Sequence, residues 1–108
     1  MRDNVKGGAL TETTLFILLA LYKPNHGYGI MQFIENETSG RISLGAGTLY
    51  GAINTLVKKK LIKPYVGEDG TRKKVYIITD NGKEVVRNEI KRLNEVIFTS
   101  LKITGGDN

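Results

Sequence analysis

The chain has 108 residues, 40% hydrophobic and 25% charged, which fits one compact domain and excludes a disordered chain. With no Cys, a disulfide framework and a thiol site are excluded, and with a single His a multi-ligand zinc centre, any other metal and a cofactor are not expected. The formal net charge of +5 favours a polyanionic partner.

The first eight residues, with charges and Gly7-Gly8, read as a loose arm. Thr11 or Thr13 then caps a first helix reaching about Tyr22. Its Leu15, Leu18, Leu19 and Tyr22 keep the spacing of an apolar face, while Phe16, Ile17, Ala20 and Leu21 cover the other side. A helix apolar all round must be buried all round, and a second chain is the expected cover for its far face. This longest apolar run is too short to span a bilayer, so no membrane partner is expected. The N-terminal residues lack the basic and apolar segments of a secretion signal, so a soluble cytoplasmic domain is the expectation.

Lys23-Pro24-Asn25-His26-Gly27 reads as a turn. A second helix follows from about Tyr28 to Glu37, with Ile30, Phe33 and Ile34 as its apolar stripe, and Thr38-Ser39-Gly40 ends it. Arg41-Ile42-Ser43-Leu44 is a short extended connector whose Ile and Leu alternate toward the core. The third helix is predicted over about Thr48 to Lys60. At 100° per residue, Leu49, Ala52, Ile53 and Leu56 share one side, and Gly47, Gly51, Asn54 and Lys58 fall opposite, flanked by Tyr50 and Thr55. An outer face built of small and hydrogen-bonding residues suits a major groove. Gly47 and Gly51 let the backbone approach, and Thr48, Asn54 and Thr55 offer donors and acceptors. The same glycines also suit tight helix–helix packing.

Two strand-like runs follow, Ile62 to Val66 and Lys73 to Thr79, separated by a segment whose Asp69-Gly70 pair signals a hairpin. Pro64 makes the first of them an edge strand. A last helix, capped by Thr79 or Asp80, runs to about Ile103 before Gly105-Gly106. Its Val86, Ile90, Leu93, Ile97 and Leu101, with Val85 and Val96 alongside, resemble a coiled-coil seam. Such a helix is a rod of about 36 Å, too long for a domain with a radius of gyration near 13 Å to cover. Self-association through the seam is therefore expected.

The charge is localised. Residues 1 to 57 and residues 75 to 108 each balance, and the whole excess lies in Lys58, Lys59, Lys60, Lys63, Arg72, Lys73 and Lys74 against Glu68 and Asp69. That cluster is either a solvated surface or a phosphate-attracting one. An enzyme is not expected, because G-x-S-x-G, H-E-x-x-H and G-x-x-x-x-G-K-[ST] are all absent. His26 at a turn reads as a hydrogen-bonded structural residue rather than a catalyst.

Three short helices and a β-hairpin give a fold that is mainly α: a winged helix-turn-helix over residues 1–79, with a long C-terminal dimerisation helix over 80–108. Three stretches carry a resemblance: His26-Gly27-Tyr28-Gly29-Ile30, Gly47-Thr48-Leu49-Tyr50-Gly51-Ala52-Ile53, and Arg72-Lys73-Lys74-Val75-Tyr76-Ile77-Ile78-Thr79-Asp80-Asn81-Gly82-Lys83. With order and spacing intact over about residues 12 to 85, the chain resembles the PadR family of bacterial transcriptional regulators, in its short subgroup with one C-terminal helix.

The resemblance implies a homodimer joined through the first and last helices, double-stranded DNA as partner, and repression at a palindromic operator. The DNA-binding candidates are Tyr28, Ser43, Thr48, Tyr50, Asn54, Lys58, Lys59, Arg72, Lys73 and Lys74. Asn54 is the candidate for a bidentate contact with adenine, and Tyr28 resembles the family tyrosine that meets a phosphate at the start of the second helix. Tyr50 reaches a phosphate or packs structurally, and Ser43 touches a phosphate or caps the next turn. The dimer and effector candidates are Leu15, Leu19, Tyr22, Ile90, Leu93, Val96, Ile97, Phe98 and Leu101. Family members sense small aromatic or drug-like molecules, some of them at the dimer interface, where some relatives stack a flat ligand on tryptophan; this chain has no Trp. Two other readings are a winged helix that binds an acidic protein, and ligand sensing with weak DNA binding.

Overall fold

A computed structural model describes residues 9–67 and 74–106. Among them the order is α1 (Glu12–Ala20), β1 (Asn25–His26), α2 (Gly27–Glu37), α3 (Ala46–Lys58), β2 (Ile62–Pro64), β3 (Val75–Ile78) and α4 (Asp80–Thr104). This is the winged helix-turn-helix frame with a long terminal helix. The hairpin becomes a three-stranded antiparallel sheet of order β1-β3-β2. Residues 25 and 26, expected in a turn, form β1 because Asn25 and His26 pair with Tyr76 and Val75. Pro64 lies on the edge strand β2, where its missing N–H costs no ladder bond.

Thr11 starts α1, its hydroxyl accepting the Thr14 N–H at 3.1 Å. The buried side of α1 differs from the expected stripe. Ile17, Leu18 and Leu21 are fully buried and Ala20 nearly so, while Leu15 and Leu19 are half-buried and Tyr22 is exposed. The reason is that α2 and α4 both pack on α1, so the core draws on a face turned by about one residue. Ile30 and Ile34 of α2, Leu49, Ile53 and Leu56 of α3, Ile62 and Ile78 of the sheet, and Val86 of α4 complete one core. Each fully buried Leu or Ile contributes about 1.5–3 kcal/mol.

The link between α2 and α3 is closed by short-range bonds. Thr38 Oγ1 donates to the Ile34 carbonyl at 2.8 Å and accepts the Ile42 N–H at 3.1 Å. Ser39 and Gly40 follow at φ +51° and +80°. Arg41 then donates through both Nη atoms to the Glu12 carboxylate, Nη1 at 2.9 Å, which ties the connector to the start of α1. That bond holds the Glu12 carboxyl below its ordinary range.

The last helix leaves the domain. Val86, placed by its spacing in the seam, is buried in the core instead, because it faces the sheet and α1 before α4 projects outward. Residue 89 is a buried carboxylate that the apolar pattern did not mark. Glu89 is 4% exposed and accepts from Arg92 Nε at 2.8 Å and Nη2 at 2.6 Å. Arg92 lowers the Glu89 pKa against the opposing effect of burial, and the Leu10 backbone N–H adds to the lowering. Beyond it, Ile90, Val96, Ile97, Phe98, Leu101 and Ile103 are exposed, and the long axis of the molecule reaches 54 Å.

Candidate nucleic-acid interface

The outer face of α3 is open. Leu49, Ile53 and Leu56 anchor the helix in the core, which leaves Gly45, Ala46, Gly47, Thr48, Gly51, Asn54, Thr55 and Lys58 exposed. A Cβ at Gly45, Gly47 or Gly51 would meet nothing within 4 Å among the described residues, so none of these glycines serves packing against them. Gly45 is the N-cap and offers no side-chain bond, so the first N–H groups of α3 are not capped by it. Thr55 Oγ1 donates back to the Gly51 carbonyl at 3.2 Å, which commits its proton within the helix. Among the described residues, Thr48, Asn54 and Lys58 therefore carry the free polar side chains of the face.

Tyr50 leans off this face onto the start of α2. A Cβ at Gly27 would collide with the Tyr50 hydroxyl, so only glycine allows the ring to lie there. His26 caps α2, its Nδ1 accepting the Gly29 N–H at 3.2 Å, a structural role. Tyr28 is 62% exposed, and its hydroxyl accepts from Gln32 Nε2 at 3.2 Å. His26, Gly27, Tyr28, Tyr50 and Lys74 line one cleft of about 330 Å³. The positive end of α2, a lysine and two phenol hydroxyls at one opening make a surface suited to an anionic backbone.

Of the DNA-binding candidates, Tyr28, Tyr50 and Lys74 are thus brought together in that cleft. Thr48 and Asn54 lie on the exposed side of α3, and Ser43 is exposed in the connector before it. Lys58 and Lys59 close the far end of α3, about 20 Å from its start by the rise of a 13-residue helix. Arg72 and Lys73 lie outside the described residues. Gly27 was missed among the site residues. Its signal in the sequence was a glycine on each side of Tyr28, but the partner, Tyr50, is remote along the chain.

The self-association candidates divide between two places. Leu15 and Leu93 join Leu10 and Phe16 in a cleft of about 470 Å³ between α1 and α4, with Glu12, Glu89 and Arg92 at its polar side. Ile90 and Phe98 lie together on one exposed face of α4, beside Arg87, Lys91, Asn94, Glu95 and Thr99. Leu19, Tyr22, Val96, Ile97 and Leu101 belong to neither group. The Tyr22 ring lies under Lys83 Nζ, 5.7 Å from its centroid. Among the described residues, no group of three His, Asp or Glu gathers as a metal site, and no helix is long and apolar enough to cross a membrane.

This architecture has relatives. A protein of Lysinibacillus sphaericus, described as uncharacterized protein X, is 35% identical over 98 residues, covering 89% of this chain and 88% of its own. An uncharacterized 37.1 kDa protein in a Streptomyces fradiae transposon is 34% identical over 93 residues, 82% of this chain but 26% of that protein. Among solved structures, a transcriptional regulator from Clostridium thermocellum is 25% identical at a TM-score of 0.66, covering 88% of this chain and 90% of its own. A PadR family transcription regulator from Clostridium difficile is 25% identical at a TM-score of 0.65, covering 87% and 98%. The family model of the PadR-like transcriptional regulators matches residues 15–88. The chain belongs to the PadR-like family of transcriptional regulators.

Proposed function

We propose that the protein is a cytoplasmic homodimeric repressor that binds a two-fold-symmetric site in double-stranded DNA. Residues 1–79 form the DNA-binding part and residues 80–108 the dimerisation part. Thr48 and Asn54 read base edges in the major groove. Tyr28, Ser43, Tyr50, Lys58, Lys59, Arg72, Lys73 and Lys74 hold the phosphates on either side. The observation that carries this reading is the outer face of α3, where glycines face open space and Thr48 and Asn54 stand free on a core-anchored helix. A helix that packed on a protein would more naturally present apolar residues there.

The apolar outer surface of α4 supports the dimer, with Ile90, Ile97, Phe98 and Leu101 all roughly half exposed or more. A small aromatic or drug-like effector is the second part of the reading, supported by the cleft between α1 and α4 with its apolar walls and its Glu89–Arg92 side. Selection of duplexes from a random-sequence library tests the DNA reading, and a thermal-shift screen of aromatic compounds tests the effector. Capture of an acidic protein partner together with an absence of DNA selection would favour the protein-binding alternative.

A further inference from the structure

The end of α3 and the start of α4 meet at one side chain. Thr79 Oγ1 accepts the Gly82 N–H at 3.0 Å as the N-cap of α4, and donates to the Lys60 carbonyl at 2.7 Å. The Thr79 backbone N–H donates to the Leu61 carbonyl at 3.0 Å. Both carbonyls belong to the turn that closes α3. Lys60 has φ +64°, its N–H donates to the Val57 carbonyl at 2.9 Å, and the Leu61 N–H returns to the Leu56 carbonyl at 3.0 Å. A non-glycine residue in that left-handed region is held there by its surroundings. Gly82 closes the contact, because a Cβ there would collide with the Leu61 carbonyl and come within 2.6 Å of Ile78 Cγ1. The turn after α3 is therefore joined to the start of α4 at Thr79, through its hydroxyl to Lys60 and its backbone N–H to Leu61.

We infer that Thr79 is a positioning residue that fixes the angle between α3 and α4 and thereby selects the spacing between the two halves of the DNA site. The inference rests on the homodimeric DNA-binding reading above. The reading face is on α3, and the apolar surface for a second copy is on α4. The separation of the two α3 helices in a dimer thus depends on this junction in each protomer, while α1 and β3 support the flank of α4. Over the roughly 20 Å length of α3, a tilt of about 10° moves the far end by about 3.5 Å, one base-pair step. A small loss of angular definition is enough to blur the spacing.

The test uses duplexes selected from a random-sequence library by the wild-type protein, then rebuilt with one base pair added to or removed from the spacer. Thr79→Ser keeps both hydroxyl bonds. Thr79→Asp keeps an acceptor that caps Gly82 but has no proton for the Lys60 carbonyl, so α4 remains capped and the backbone bond to Leu61 stays while the side-chain bond to the turn after α3 is lost. Thermal melting confirms that both variants fold. Wild type and Thr79→Ser should prefer the selected spacing by roughly tenfold or more, and Thr79→Asp by about twofold or less. A Thr79→Asp protein weakened equally on all spacings, or keeping the wild-type preference, overturns the positioning role. So does a Thr79→Ser protein that loses the preference. Failure of the wild type to select any two-fold site overturns the DNA-binding reading itself, and the inference with it.

Discussion

The phenol of Tyr50 rests on the backbone of Gly27, where any Cβ would lie 2.7 Å from the ring carbon that bears its hydroxyl. One contact thus sets how closely α3 approaches the first residue of α2. Gly27→Ala should destabilise the protein by about 1–3 kcal/mol through overpacking, read by chemical denaturation. In a Tyr50→Ala background the same substitution should cost little, because the obstructing ring is gone. An equal cost in both backgrounds would remove Tyr50 as the reason for glycine at position 27.

Asn54 is exposed on α3 with its amide uncommitted among the bonds of the helix. Asn54→Ala should relax preference at one base position per half-site by about 1–3 kcal/mol, while leaving the fold intact. Binding measured on duplexes mutated one position at a time checks this. An unchanged preference at every position would take Asn54 out of base readout.

Lys58 and Lys74 lie at opposite ends of the proposed interface, at the last turn of α3 and just before β3. Replacing either with Ala should weaken all duplexes by a similar factor and reduce the salt slope by about two, one contact for each protomer. Titration by fluorescence anisotropy at several salt concentrations reads both quantities. A loss confined to one sequence would instead make that lysine a base-reading group.

The elements with strong periodicity were legible in the sequence, and those set by tertiary contact were not. The apolar stripe of α3 gave its core face, since Leu49, Ile53 and Leu56 repeat at helical spacing. Its start at Ala46 was hidden, because glycines at 45 and 47 are poor helix formers whatever the surrounding fold. Residues 25 and 26 are too few to show alternation, and they become a strand only because β3 lies beside them. Glu89 sits at a polar position between Val86 and Ile90. Its burial depends on Leu10 and Arg92, one distant in sequence and the other unremarkable on a charged helix. The free polar face of α3 was readable from residue type and spacing, whereas the approach of Tyr50 to Gly27 required the packing of two helices.

Ile97 tests self-association more cleanly than Leu93, because Ile97 is 55% exposed while Leu93 helps line the cleft against α1. Ile97→Asp should convert dimers to monomers in sedimentation velocity with little change in helix content, since the side chain is not part of the core. Dimers that persist at the same concentration would show that the α4 surface is not the interface.

Glu89 gives the fold an acid dependence. Its folded pKa is lowered, chiefly by the Arg92 hydrogen bonds, so its contribution is present above the unfolded carboxylate range. That contribution is lost as pH falls through the depressed folded value. Glu89→Gln should cost about 1–3 kcal/mol at neutral pH, and the gap to wild type should narrow below the ordinary glutamate pKa of about 4.3. Denaturation curves from pH 7 to pH 3 measure the gap, and a constant difference would contradict the pairing.

DNA reading by α3 is tested most directly by sequencing the duplexes that the wild-type protein retains from a random library, with binding then followed across salt. The expected result is a two-fold-symmetric motif with half-sites about one helical turn apart. If the dimer neutralises about 6–10 phosphates, affinity should fall about 10³–10⁵-fold between 50 and 200 mM salt. Retained duplexes without an enriched motif, or binding indifferent to salt, would contradict it.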